Sequence, residues 1–152
     1  GQKSPQGVFA VCPMPVFPLG EIDPAGRYLA LEEVQDPANV GAALRSAAAF
    51  GFRGVLLTPG CADPFGEKAM RASMGAAFKL PVFWAQDLPG LLRSLAAQGM
   101  ATVAAALRGA VTAPTIDACG AVVKIPIRQM ESLNAAAAAA VLMWELGGRL
   151  DG

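Results

Sequence analysis

The 152-residue chain contains no histidine. That absence removes the side chain that most often moves protons near neutral pH and most often ligates metals. Cysteine is scarce as well: Cys12, Cys61 and Cys119 are odd in number, widely spaced, and form no Cys-x-x-Cys pair. Together these gaps argue against a zinc site and against His-based catalysis, and no metal is expected. Net charge is lacking too, since twelve basic and twelve acidic residues cancel. No global field draws the chain to a polyanion, so any nucleic-acid contact must come from a local cluster or from another domain. No apolar run approaches the roughly 20 residues needed to span a bilayer, and no charged start followed by an apolar core marks a signal peptide. No membrane contact is expected, and the cytoplasm is the default location. There is no initiator Met ahead of "GQKSPQGVFAVC", so an upstream part is expected.

What remains is strongly apolar. Hydrophobic residues make up 54% and charged residues 16%, a balance that argues against disorder and for one domain with a well-covered core. Six short runs read as strands: 7–12, 27–34, 54–57, 82–84, 101–106 and 121–125. Helical patterns lie between them at 39–50, 67–77 and 89–98, and a longer one at 132–146 closes the chain around six consecutive alanines. Strands alternating with helices of this length predict an α/β fold, a mostly parallel sheet covered by helices on both faces. One interval breaks the rhythm: "LRGAVTAPTIDACG" (107–120) has no amphipathic period where a crossover is needed, so either a long loop lies there or residues are missing.

The stretch "QDPANVGAALRSAAAFG" (35–51) holds a helix mouth, with Asp36 or Asn39 as the cap and Pro37 suited to the first helical position. Val40, Ala43, Leu44 and Ala47 follow at helical spacing and should face the sheet. Arg45 is off that stripe, beside the small residues Gly41, Ala48 and Ala49, which leave room for another backbone or a ligand. From spacing alone, Arg45 reads as a surface arginine paired with Asp36 or Glu33.

Longer words carry more information. "DPANVGAALRSAAAFG" resembles motif 1 of the SpoU–TrmH family, the ribose 2′-O-methyltransferases of the SPOUT superfamily. "TPGCADPFGEKAMRASMGAAFKLPV" (58–82) and "KIPIRQMESLNAAAAAAVLMWE" (124–145) resemble two further blocks of that family, in the family's order. "KSPQGVFAV" (3–11) is similar to the join between an N-terminal RNA-binding domain and the catalytic domain. On that resemblance residues 1–152 form a catalytic domain whose RNA-binding domain lies upstream. Two departures stand out. The family's motif 2, a strand running into a Gly-x-Glu-Gly-x-Gly loop, is absent between about 107 and 120, and motif 3 lacks a glycine after Ile-Pro. Both gaps fall in cofactor loops.

The resemblance implies a C-terminal deep trefoil knot, a homodimer packed through the knot region, S-adenosyl-L-methionine as cofactor and rRNA or tRNA as partner. It assigns the catalytic role to Arg45, supported by Asn39, Ser132 and Asn134. Ser132 reads equally well as the N-cap of the last helix. Ile125, Ile127, Met130 and Leu133 would wall the adenine. Lys68, Arg71 and Lys79, each also readable as a solvated surface charge, would join Arg45 in holding RNA. The alternative implied by the missing motif 2 is an inactive RNA-binding or scaffolding relative.

Overall fold

The computed structural model describes residue 11 and residues 13–105, 111–127 and 133–147. In chain order the elements are β1 (Tyr28–Leu31), α1 (Pro37–Ala49), β2 (Gly54–Leu57), α2 (Glu67–Ser73), β3 (Val82–Trp84), α3 (Leu88–Ala97), β4 (Val103–Ala105), α4 (Ala113–Asp117), β5 (Ala121–Val123) and α5 (Ala135–Gly147). Every strand pairing among them is parallel: β1, β2 and β3 form one sheet in that order, and β4 pairs with β5. The expected α/β class is what the chain adopts, although the described strands fall into two sheets. The expected strand at 7–12 lies outside the described residues apart from Val11, which has no regular structure.

Alternation along β2 explains how both faces of the larger sheet are covered. All four of its residues are buried, as in a strand roofed on two sides. Val55 and Leu57 pack with Val40, Leu44 and Ala47 of α1 and with Ala139 and Met143 of α5. Leu56, one residue out of phase, joins Phe83, Leu88, Leu92 and Leu95 on the α3 side.

Helix α1 starts at Pro37 because Asp36 takes an extended backbone and its side chain accepts from the Ala38 N–H at 3.0 Å. The cap is Asp36, and Asn39 sits inside the first turn. Gly41 is buried where α1 crosses α2, and a Cβ there would overlap the Ala69 carbonyl oxygen. The room expected beside Arg45 is therefore partly filled: α2 occupies the Gly41 side.

Two expected boundaries are corrected. The helix predicted over 67–77 stops at Ser73, because Met74 (φ 52) and Gly75 (φ 83) turn left-handed before a short 3-10 turn at Ala76–Phe78. The interval 107–120 is not wholly loop, since α4 occupies Ala113–Asp117 with Thr112 before it and Pro114 in its first turn. Five residues are too few to display an amphipathic period.

Candidate functional site

In a parallel sheet all the strands deliver their following loops to the same edge, and ligands of open α/β sheets bind beyond the carboxyl ends of the strands. Here the carboxyl edge of the β1–β3 sheet carries the 32–36 segment entering α1, and that of the β4–β5 pair carries the stretch from Lys124 on. Helix α5 packs on α1. The rings of Phe50 at the end of α1 and Trp144 near the end of α5 lie 6.1 Å apart, and Arg27, just ahead of β1, donates from Nη1 to the Gly147 carbonyl at 3.3 Å. The C-terminal ends of both helices therefore lie together, near the start of β1.

Arg45 is exposed, and among the described residues its guanidinium makes no hydrogen bond or ion pair. Neither carboxylate predicted from spacing holds it. Asp36 Oδ1 pairs instead with Lys68 Nζ at 3.2 Å, and Glu33 Oε1 accepts from the Thr58 hydroxyl at 3.3 Å. Asn39 is half-buried in the first turn of α1. Six residues separate it from Arg45, which is about 9 Å along a helix axis, so the two side chains do not converge on one point of α1.

The motif 3 residues are divided. Ser132 and Met130 lie outside the described residues. Asn134 is the N-cap of α5, its Oδ1 accepting from the Ala137 N–H at 2.7 Å while its carbonyl accepts from the Ala138 N–H at 3.0 Å. The cap role that the sequence offered to Ser132 thus belongs to Asn134. Ile125 and Ile127 are half-buried in the extended stretch after β5, and among the described residues their backbone N–H and C=O groups have no hydrogen-bond partner. Leu133 is 36% exposed. Apolar side chains beside free backbone donors and acceptors suit the faces and edges of a nucleobase.

The basic residues are exposed, but two of them are engaged. Lys68 pairs with Asp36, and Arg71 Nη2 meets Glu67 Oε1 at 2.6 Å one helical turn away. The Lys79 side chain has no partner among the described residues.

Asp36 titrates in a way that reports this corner. The Ala38 amide hydrogen bond first, then the hydrogen bond from Lys68, hold its carboxyl below the ordinary aspartate range. A folded-state pKa below the unfolded one adds stability above the unfolded value and loses it as pH falls through the folded value. The stability difference between wild type and Asp36→Ala is therefore expected at neutral pH and should vanish in strong acid, as read by denaturant titration across pH.

One residue was missed from the sequence. Glu32, immediately after β1, binds the start of α4: Oε2 accepts from the Thr112 N–H at 2.8 Å, and Oε1 from the hydroxyls of Thr115 at 2.7 Å and Thr112 at 2.9 Å. Nothing in the local spacing announces a partner eighty positions away. A separate cavity of about 380 Å³, lined by Met14, Phe17, Phe65 and Trp84 among others, includes none of the predicted site residues.

Parallel strands joined by helical connections, with side-chain-capped helix mouths and, on one of those helices, a guanidinium without a partner among the described residues, define an α/β domain. Residues 26–115 match the SpoU rRNA Methylase family, and the chain belongs to that family. An uncharacterized tRNA/rRNA methyltransferase of Synechocystis is 34% identical over 165 residues, covering 93% of this chain and 60% of that protein. The 23S rRNA (guanosine(2553)-2′-O)-methyltransferase RlmP of Bacillus subtilis is 32% identical over 169 residues, covering 96% of this chain and 66% of that protein. The AdoMet-bound rRNA methyltransferase from Sinorhizobium meliloti has the same fold with a TM-score of 0.81 at 27% identity, covering 90% of this chain and 62% of that one. The chain thus spans about two thirds or less of the length of these relatives. Both sequence matches are longer than the 152-residue chain itself, so each relative carries residues within the matched stretch that have no counterpart here. The family match ends at Thr115, inside the interval that lacks motif 2.

Proposed function

We propose that the chain is the catalytic domain of an S-adenosylmethionine-dependent methyltransferase that modifies a ribose 2′-hydroxyl of rRNA or tRNA. The observation that carries this reading is the exposed Arg45, without a partner among the described residues, on the Asp36-capped helix within the segment that matches the family. The named activity of RlmP and the AdoMet bound by the Sinorhizobium meliloti enzyme support it.

S-adenosylmethionine supplies an electrophilic methyl group when bound. The chain's own part is to align the ribose hydroxyl for in-line displacement and to help it lose its proton. Ile125, Ile127, Met130 and Leu133 would wall the adenine of that cofactor, and the backbone groups of Ile125 and Ile127 would read its edge. A guanidinium with pKa above about 12 is a poor base at neutral pH. Arg45 therefore acts by holding a phosphate and stabilising the developing alkoxide. Asn39, Ser132 and Asn134 orient the ribose and the cofactor, and Lys68, Arg71 and Lys79 extend the phosphate-binding surface. The same reading includes a homodimer packed through a C-terminal knot, an upstream RNA-binding domain and a cytoplasmic location. Among the described residues no helix is long and apolar enough to cross a membrane.

A second reading, an RNA-binding or scaffolding relative without catalysis, is favoured by the missing motif 2 stretch. Isothermal titration with S-adenosylmethionine separates the two. Micromolar binding is expected for the enzyme, and no binding by the full-length protein would establish the scaffold.

A further inference from the structure

We propose that Glu32 is a positioning residue, clamping the start of α4 to the end of β1 and so fixing α4, and the β5 and Ile125 stretch that follows it, relative to the helix that carries Arg45. The inference rests on the methyltransferase reading and deepens it. Three donors from one short segment converge on this carboxylate, whose two oxygens have lone pairs for all of them. The Thr112 hydroxyl has one proton to give, shared between Glu32 Oε1 and Thr115 Oγ1 at 3.2 Å, while Thr115 sends its own proton to Glu32. Thr115 is 5% exposed, so its hydroxyl has little access to water if Glu32 is lost.

Location separates this clamp from ordinary surface bonding. Glu32 sits at the carboxyl end of β1, one residue beyond Leu31 and four before the Asp36 cap. Its partners open α4, which follows β4 in the chain. The carboxylate thus ties the segment that leads into the helix of Asn39 and Arg45 to the helix that leads into β5 and Ile125. Helix α4 also packs on α3, so a displaced α4 entry shifts the connection to β5 and Ile125.

The test uses the full chain and measures S-adenosylmethionine affinity by calorimetry together with the melting temperature. Glu32→Gln keeps the size but turns an NH2 group towards a donor. It should weaken cofactor binding about tenfold, which is roughly 1.4 kcal/mol, with the melting temperature within a few degrees of wild type. Thr115→Val should behave alike, Thr115→Ser should bind as wild type does, and combining Glu32→Gln with Thr115→Val should add little to either alone. Binding by wild type with an unchanged dissociation constant in Glu32→Gln would overturn this inference alone. A lower melting temperature with unchanged affinity of the folded protein would also overturn it, because the clamp would then be merely structural. No binding by wild type would overturn the methyltransferase reading together with this one.

Discussion

Arg45→Ala is expected to lower methyl transfer, on the proposed function, by roughly two to three orders of magnitude, the cost of removing one donor aimed at a developing oxyanion. The same variant keeps its cofactor affinity and its melting temperature. The second half of that expectation follows from geometry: Arg45 is exposed, makes no described bond, and lies off the buried stripe of Val40, Ala43, Leu44 and Ala47. Removing it costs the fold nothing that the structure displays. Single-turnover methylation of a bound RNA, run beside calorimetry, checks both halves. Full activity in the variant would remove Arg45 from the mechanism.

Gly41→Ala gives the largest effect on stability. The new Cβ would overlap the Ala69 carbonyl oxygen and crowd the Ala72 side chain. A backbone carbonyl cannot swing aside as a flexible side chain would, so α1 and α2 must separate. Overpacking of this kind costs about 3 kcal/mol, which for a chain of this size lowers the melting temperature by roughly 10 °C. Ala49→Ser, an exposed change on the same helix, is the control and should leave the melting temperature near wild type. A Gly41→Ala protein that melts with wild type would show that α2 yields at this crossing.

Where a feature has a long enough period, it was legible before any coordinates. The stripe on α1 repeats over about two turns, and its residues are the ones buried against Val55 and Leu57. The cap was legible as a choice between Asp36 and Asn39, and extended backbone at Asp36 decides it. Short or distant features were not legible. Helix α4 is only five residues long, so no pattern could announce it. The break in the second helix falls on Met74, a residue type with no preference for the left-handed backbone it adopts. The cap of α5 is Asn134 rather than Ser132 because both residue types serve, and only the bond to the Ala137 N–H chooses between them.

The candidate site divides along the same line. Arg45 could be marked as off the buried face, but its freedom from Asp36 and Glu33 depends on Lys68 and Thr58 reaching those carboxylates from other segments. Glu32 illustrates the limit most clearly, because its role is defined wholly by Thr112 and Thr115 across the fold. The family resemblance points to the proposed chemistry from words such as "DPANVGAALRS", whereas the proposed clamp comes from the packing of this particular chain.

The most direct measurement is a map of ribose 2′-O-methyl groups in rRNA and tRNA from cells lacking the gene, compared with cells carrying it. The account predicts the loss of a specific 2′-O-methyl that returns with the wild-type gene and does not return with Arg45→Ala. An unchanged map of 2′-O-methyl groups in the deleted strain would contradict it.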